Sequence, residues 1–154
     1  MIKKIDLGLT GLLIIIQFIP QEKNLSDDQL FDISKKYEIP ADVQVILKNA
    51  CNDCHTNKST YPWYSNIQPV GFWLNHHIND GKKHLNFSDW SSYTLKKKEH
   101  KMDELHEEVA KGEMPLDSYT WTHGDANLTQ AQIDAIVTWG KKAQADYKQQ
   151  MSTE

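Results

Sequence analysis

Two cysteines are the whole thiol content of this 154-residue chain, and both stand in one run, Cys51-Asn52-Asp53-Cys54-His55. Cys-x-x-Cys-His is the pattern by which two thiols add across the vinyl groups of one porphyrin edge, with the next histidine placed to bind the iron. The spacing suits the chemistry, because Cys51 and Cys54 are about one helical turn apart and both sulfurs reach the same edge. Three other chemistries use similar residues. A zinc site needs a second pair of soft ligands at metal spacing, and no further cysteine exists. A thioredoxin-like pair belongs at the start of a helix in a βαβ unit, and no such alternation is visible. A Cys51–Cys54 disulfide would close a very small loop and constrain little.

A covalently held haem, one per chain, leaves the second axial position to be filled. Met114 is the first candidate, in Gly112-Glu113-Met114-Pro115-Leu116. Its thioether is a soft, neutral ligand that raises the haem potential opposite His55. Pro115 biases Met114 towards an extended conformation, which suits a loop facing the ring. His76 or His77 is the rival, giving a bis-histidine haem. Adjacent helical residues diverge by about 100°, so one of them at most could face the iron. Met102 falls on a helix stripe and reads as core, Met1 is the start and Met151 is in the polar C-terminal stretch. His84, His100, His106 and His123 read as solvated surface residues.

The elements that must position these groups follow from periodicity. Pro40 opens a helix in which Val43, Ile46, Leu47 and Ala50 form one apolar face leading into Cys51. Residues 56–90 are aromatic and punctuated by proline and glycine, and read as loops with a short helix around Phe72 to Ile78. Thr94 to Lys111 reads as a helix with Leu95, Met102, Leu105 and Val109 on one side and Gly112 as its C-terminal cap. A last helix starts at Thr129, where Gln132 completes a capping box; Gly140 on its stripe would permit close approach to another helix. Ser26 and Gln29 offer a second capping box for a short helix before residue 37. No strand alternation of useful length and no internal repeat is found. The expected organisation is a signal or anchor segment at 1–20, a linker at 21–39, a haem-c-binding domain at 40–142 and a polar tail at 143–154.

Composition narrows the function classes. A formal charge of −4 with 17 lysines and no arginine excludes a nucleic-acid binder and a twin-arginine export signal. Lys3 and Lys4 followed by the apolar run Leu7 to Ile19 read as an export segment. The run is short for a spanning helix. No small-x-small cleavage site follows it, which favours an uncleaved anchor through residues 5–20 over a removed signal. The expected location is therefore the periplasmic side of the cytoplasmic membrane, anchored or released.

With these residues placed, the chain resembles a class I cytochrome c, and more specifically the small bacterial haem-binding domain family. The likeness runs through Ala50–Lys58, Tyr61–Val70, Leu85–Trp90 and Glu113-Met114-Pro115. It implies an all-α fold around haem c, held outside the cytoplasm by Cys51, Cys54 and His55, that exchanges single electrons with unidentified redox partner proteins. No nucleophile or acid/base set is evident, so the chain does not read as an enzyme. A haem sensor or peroxidase-associated subunit with an exchangeable sixth ligand is the alternative; a haem-free thiol oxidoreductase is a third reading.

Overall fold

The computed structural model describes residues 2–153, with side chains from residue 7 onward. The side chains of Lys3, Lys4 and Ile5, with Met1 and Glu154, lie outside the described residues. Seven α-helices are described: α1 (Ile2–Ile16), α2 (Ala41–Ala50), α3 (Asn52–His55), α4 (Val70–His84), α5 (Leu95–Lys111), α6 (Asp117–Thr120) and α7 (Gln130–Thr153). Short 3-10 turns join them, and the described residues hold no strand beyond one antiparallel bridge, Leu25 to Lys58. The all-α expectation holds.

The framework is the antiparallel pair α5 and α7, with α2 packed on α7. Met102, Leu105 and Val109 of α5 interlock with Ile136, Trp139 and Ala143 of α7, and Val43, Ile46 and Leu47 of α2 close the same core. Gly140 sets the approach of the pair: a Cβ there would stand 3.0 Å from His106 Cβ and 3.2 Å from Leu105 Cδ2. The expected caps at Thr129 and Gly112 form. The Thr129 backbone N–H donates to Gln132 Oε1 at 2.8 Å and the Gln132 N–H returns to Thr129 Oγ1 at 3.4 Å. Thr94 caps α5, and Gly112 ends it in the left-handed region at φ 75°.

Four expectations are corrected. Residues 143–153 are no detached tail but the second half of α7, and Tyr147 within them is buried, accepting from Trp90 Nε1 at 2.9 Å. Residues 21–39 are not a loose linker. Asn24 accepts from Ser59 N, Ser26 donates to Asn57 O, and Ile33 and Ile39 enter the core. The Ser26–Gln29 capping box does not form. The Ser26 and Asp28 side chains accept from Asp28 N and Leu30 N in local turns, and the short helical turn begins later, at Ile33, capped by Asp32. The short helix at Phe72 to Ile78 extends over all of Val70–His84; Gly81 does not end it but lies where α3 packs against it.

Candidate functional site

α2 ends at Cys51, whose φ of −127° breaks the helix, and α3 restarts the chain as a single turn. Cys54 N and His55 N both donate to Cys51 O, at 3.2 and 3.0 Å, so the five-residue motif is wound into one compact turn. Asp53 inside it is tied down on both oxygens: Oδ2 accepts from Tyr119 Oη at 2.8 Å and Oδ1 from Thr60 N at 2.7 Å. α4 packs directly on this turn. A Cβ at Gly81 would lie 2.8 Å from the Cys54 carbonyl oxygen, so only glycine allows the contact.

That contact fixes His55. Its Nδ1 lies 3.1 Å from Gly81 O and 3.0 Å from Leu85 O, two carbonyls at the end of α4. Carbonyls only accept, so Nδ1 carries the proton and Nε2 keeps its lone pair. Burial lowers the His55 pKa, against the smaller opposing effect of the Leu85 and Gly81 carbonyls, and so favours the neutral imidazole that binds metals. An anchored Nδ1–H is also the usual device for orienting a ligating histidine.

Cys51, His55 and Met114 line one cavity of about 360 Å³. Leu85, Phe87, Leu105, Val109 and Ile136 supply its apolar wall, while Asp80, His84, Lys101, Glu104 and Glu108 bring charge to it. The size falls within the range of about 300–1,000 Å³ usual for cofactor and ligand sites. The wall is built by α3 and the end of α4, facing α5, α7 and the loop after α5. Met114 sits on that loop, half-buried against the core, with its N–H donating to Glu108 O at 3.3 Å. Cys54 is turned towards Gly81 and is absent from the lining.

The thiols are free. Burial, reinforced by the neighbouring Cys54, pushes the Cys51 pKa up to about 12. Burial and the Asp53 carboxylate take Cys54 to about 11. Both are protonated at neutral pH, the reverse of the lowered pKa that a disulfide-exchanging Cys-x-x-Cys pair needs.

The rival histidines lie elsewhere. His76 is exposed, and His77 packs its ring 4.4 Å from Trp73; neither lines the cavity. His84 does line it, one residue before Leu85, whose carbonyl holds His55. It therefore belongs to the His55 side of the site. His106 is no surface residue: it is buried between α5 and α7, with Nε2 3.1 Å from Gln144 Oε1.

A family model described as a haem-binding domain matches residues 11–142. The chain belongs to the haem-binding domain family. The match begins within α1 and takes in the segment expected as a linker, consistent with that segment's packing on the fold. No curated protein and no solved structure matches the chain. The residues at the cavity fit the group that the family binds: an oriented neutral imidazole, a thioether and the free thiol of Cys51 stand around an apolar wall. Asp53, Tyr119 and Gly81 were not singled out by sequence reasoning. A lone glycine inside a helix is a signal of close approach, and Gly81 carried that signal; the tie between Tyr119 and Asp53 had none.

Proposed function

We propose that this haem-binding domain is a c-type cytochrome that passes single electrons outside the cytoplasm. The observation that carries the proposal is the shared cavity: Met114, distant in the chain, meets Cys51 and His55 at one apolar wall, with His55 Nδ1 held by two carbonyls. In this reading Cys51 and Cys54 would hold haem c through thioether bonds, and His55 Nε2 and the Met114 thioether would be the groups offered to its iron. Bound haem iron supplies a one-electron couple. The chain's own residues set its conditions. The Gly81 and Leu85 carbonyls increase the basicity of His55 and fix its plane. Met114 favours the reduced state, and Leu105, Val109, Phe87 and Ile136 keep water from the site, which shifts the potential the same way. The apolar segment before residue 20 keeps the domain at the outer face of the cytoplasmic membrane. Exposed polar side chains at the cavity, Asp80, His84 and Glu104, are the groups a redox partner protein would meet.

The test is direct. Protein matured in a host that attaches haem c should keep its colour through acid-acetone extraction and weigh one haem more than the polypeptide. The double variant Cys51→Ala, Cys54→Ala should give extractable haem or none. Ferric protein should show the weak near-infrared band of methionine ligation, lost in Met114→Ala and kept in His76→Ala and His77→Ala. Colourless protein from such a host overturns the reading. Rapid carbon monoxide binding by the reduced wild type would favour the sensor or peroxidase-associated alternative, with its exchangeable sixth position.

A further inference from the structure

No described helix is long and apolar enough to cross a membrane, yet from Leu7 to Ile19 the chain is apolar save for Gly8, Thr10, Gly11 and Gln17, and most of its large apolar side chains are exposed. Leu7 is 75 % exposed and Phe18 81 %, with Leu9, Leu12, Leu13, Ile14, Ile15 and Ile19 also exposed. This is more contiguous apolar surface than a water-soluble chain ordinarily shows. The segment is not loosely hung. Gln17 grips the backbone of Gln68 with both ends of its amide: Nε2 donates to Gln68 O at 3.0 Å and Oε1 accepts from Gln68 N at 2.9 Å. Beyond it, Gln21 Oε1 accepts from Asn75 Nδ2 at 3.0 Å, and Lys23 Nζ donates to Asn66 Oδ1 at 2.7 Å.

The surface pinned beside α1 is of an unusual kind. From Tyr61 to Asn79 the chain has no Asp, Glu, Lys or Arg. Ile67 and Val70, flanking Gln68, are exposed, as are Trp63 on the preceding turn, at 76 %, and Trp73 on the first turns of α4, at 47 %. Tryptophan is the residue that prefers the boundary between headgroups and acyl chains, with its ring in the apolar layer and its N–H in the wet one.

We infer that the face formed by Trp63, Ile67, Val70 and Trp73 seats on the lipid bilayer into which α1 inserts, so that the haem-binding domain is docked on the membrane in one orientation. The inference rests on the reading of α1 as a retained membrane segment. Because Gln68 is bound to Gln17, this face stands at the depth where the apolar segment leaves the bilayer. The cavity wall supplied by Asp80 and His84 lies at the other end of α4, about 15–20 Å along the helix from Val70 at 1.5 Å per residue. The seated face thus leaves the cavity free for a protein partner.

The test uses the full haem-loaded chain in phosphatidylcholine vesicles containing a phosphatidylcholine with a diazirine near the glycerol end of one acyl chain. After illumination, adducts are mapped by mass spectrometry. The expected result is labelling of Leu7–Ile19 and of Trp63–Trp73, each at least several-fold above the peptide containing Phe31, an exposed side chain held on another part of the fold. Val70→Glu, at an exposed site, and Gln17→Ala, which releases the grip on Gln68, should each cut labelling of Trp63–Trp73 several-fold and leave that of Leu7–Ile19 unchanged. Labelling confined to Leu7–Ile19 in the wild type overturns the docked face while the anchor stands. No labelling of either segment overturns the anchor reading itself.

Discussion

The two halves of this domain are held together by different physics. In the α2, α5 and α7 half the interior is apolar, with Met102, Ile136 and Ala143 fully buried. In the half between Ser59 and Ser88, which carries α4 and completes the site, the buried polar side chains gather: Ser59, Ser65, Gln68, Asn86 and Ser88, with His106 alone in the other half. Four of these bond directly to backbone groups. Ser59 Oγ donates to Asp53 O at 2.5 Å, Gln68 Oε1 accepts from Phe72 N at 2.9 Å, Asn86 Oδ1 accepts from Ser88 N at 3.1 Å, and Ser88 Oγ accepts from Asn57 N at 3.1 Å. Apolar packing is non-directional and supplies the bulk of stability. Hydrogen bonds contribute less in net terms but specify angle and distance. The half that must aim His55 is built from the directional kind.

The largest effect should come where the halves are riveted together. Trp90 is wholly buried and bonds through Nε1 to Tyr147 on α7. Trp90→Ala should cost about 3–5 kcal/mol in denaturant unfolding; a loss under about 1 kcal/mol would mean that the halves are not coupled through this ring.

A matched pair separates the two kinds of cohesion. Met102→Ala in the apolar half should cost about 2–5 kcal/mol with the reduction potential nearly unmoved. Asn86→Ala removes a side chain that donates to Asn57 Oδ1 at 2.8 Å and Asp89 Oδ2 at 2.7 Å. It should cost less, about 1–3 kcal/mol, yet perturb the potential, since Leu85 beside it holds His55. Equal shifts of potential in the two variants would erase the distinction.

Two glycines sharpen it further. At Gly81 an added Cβ meets the Cys54 backbone oxygen at 2.8 Å, which cannot yield without moving the motif. At Gly140 the nearest atoms are side-chain carbons of His106 and Leu105 at 3.0 and 3.2 Å, which can give slightly. Gly81→Ala should therefore cost about 2 kcal/mol and reduce haem incorporation. Gly140→Ala should cost about 1 kcal/mol and leave incorporation intact. Haem yield in matured protein, set beside unfolding midpoints, reads both.

The smallest expected effect is electrostatic. Tyr37 Oη donates to Asp146 Oδ2 at 2.5 Å, and that bond, with Lys142, holds the carboxyl below its ordinary value of 3.8. A lowered carboxylate pKa stabilises the fold above the unfolded value and loses that contribution as pH falls through the folded one. Wild type should thus exceed Asp146→Asn in stability at neutral pH. The gap should close below about pH 4. A gap that widens in acid would show that the bond does not depend on the ionised carboxylate.

Legibility follows the same divide. The stripe Val43, Ile46, Leu47 and Ala50, the Thr129 cap, and Gly112 were readable because helical periodicity and capping are local: each signal lies within one turn of the residue it governs. The compact turn of Cys51 to His55 lies within one such local signal. The extent of α4, the packing of residues 21–39 and the burial of Tyr147 were not. They rest on partners such as Asn24 with Ser59 and Trp90 with Tyr147, 35 and 57 positions apart, between side chains whose types fit a solvated surface equally well.

By itself, then, the sequence determined an all-helical chain, a run of two cysteines and a histidine at the end of an amphipathic helix, and Met114 on a loop between two later helices. Tertiary structure alone decided that Met114 stands at the same cavity as His55 and Cys51 while His76 and His77 do not. It alone decided that His55 points by way of the carbonyls of Gly81 and Leu85. Backbone carbonyls are the same at every residue, so no sequence pattern announces which of them will hold a ring nitrogen. That choice is made only when α4 packs on α3, through a contact that a missing Cβ permits.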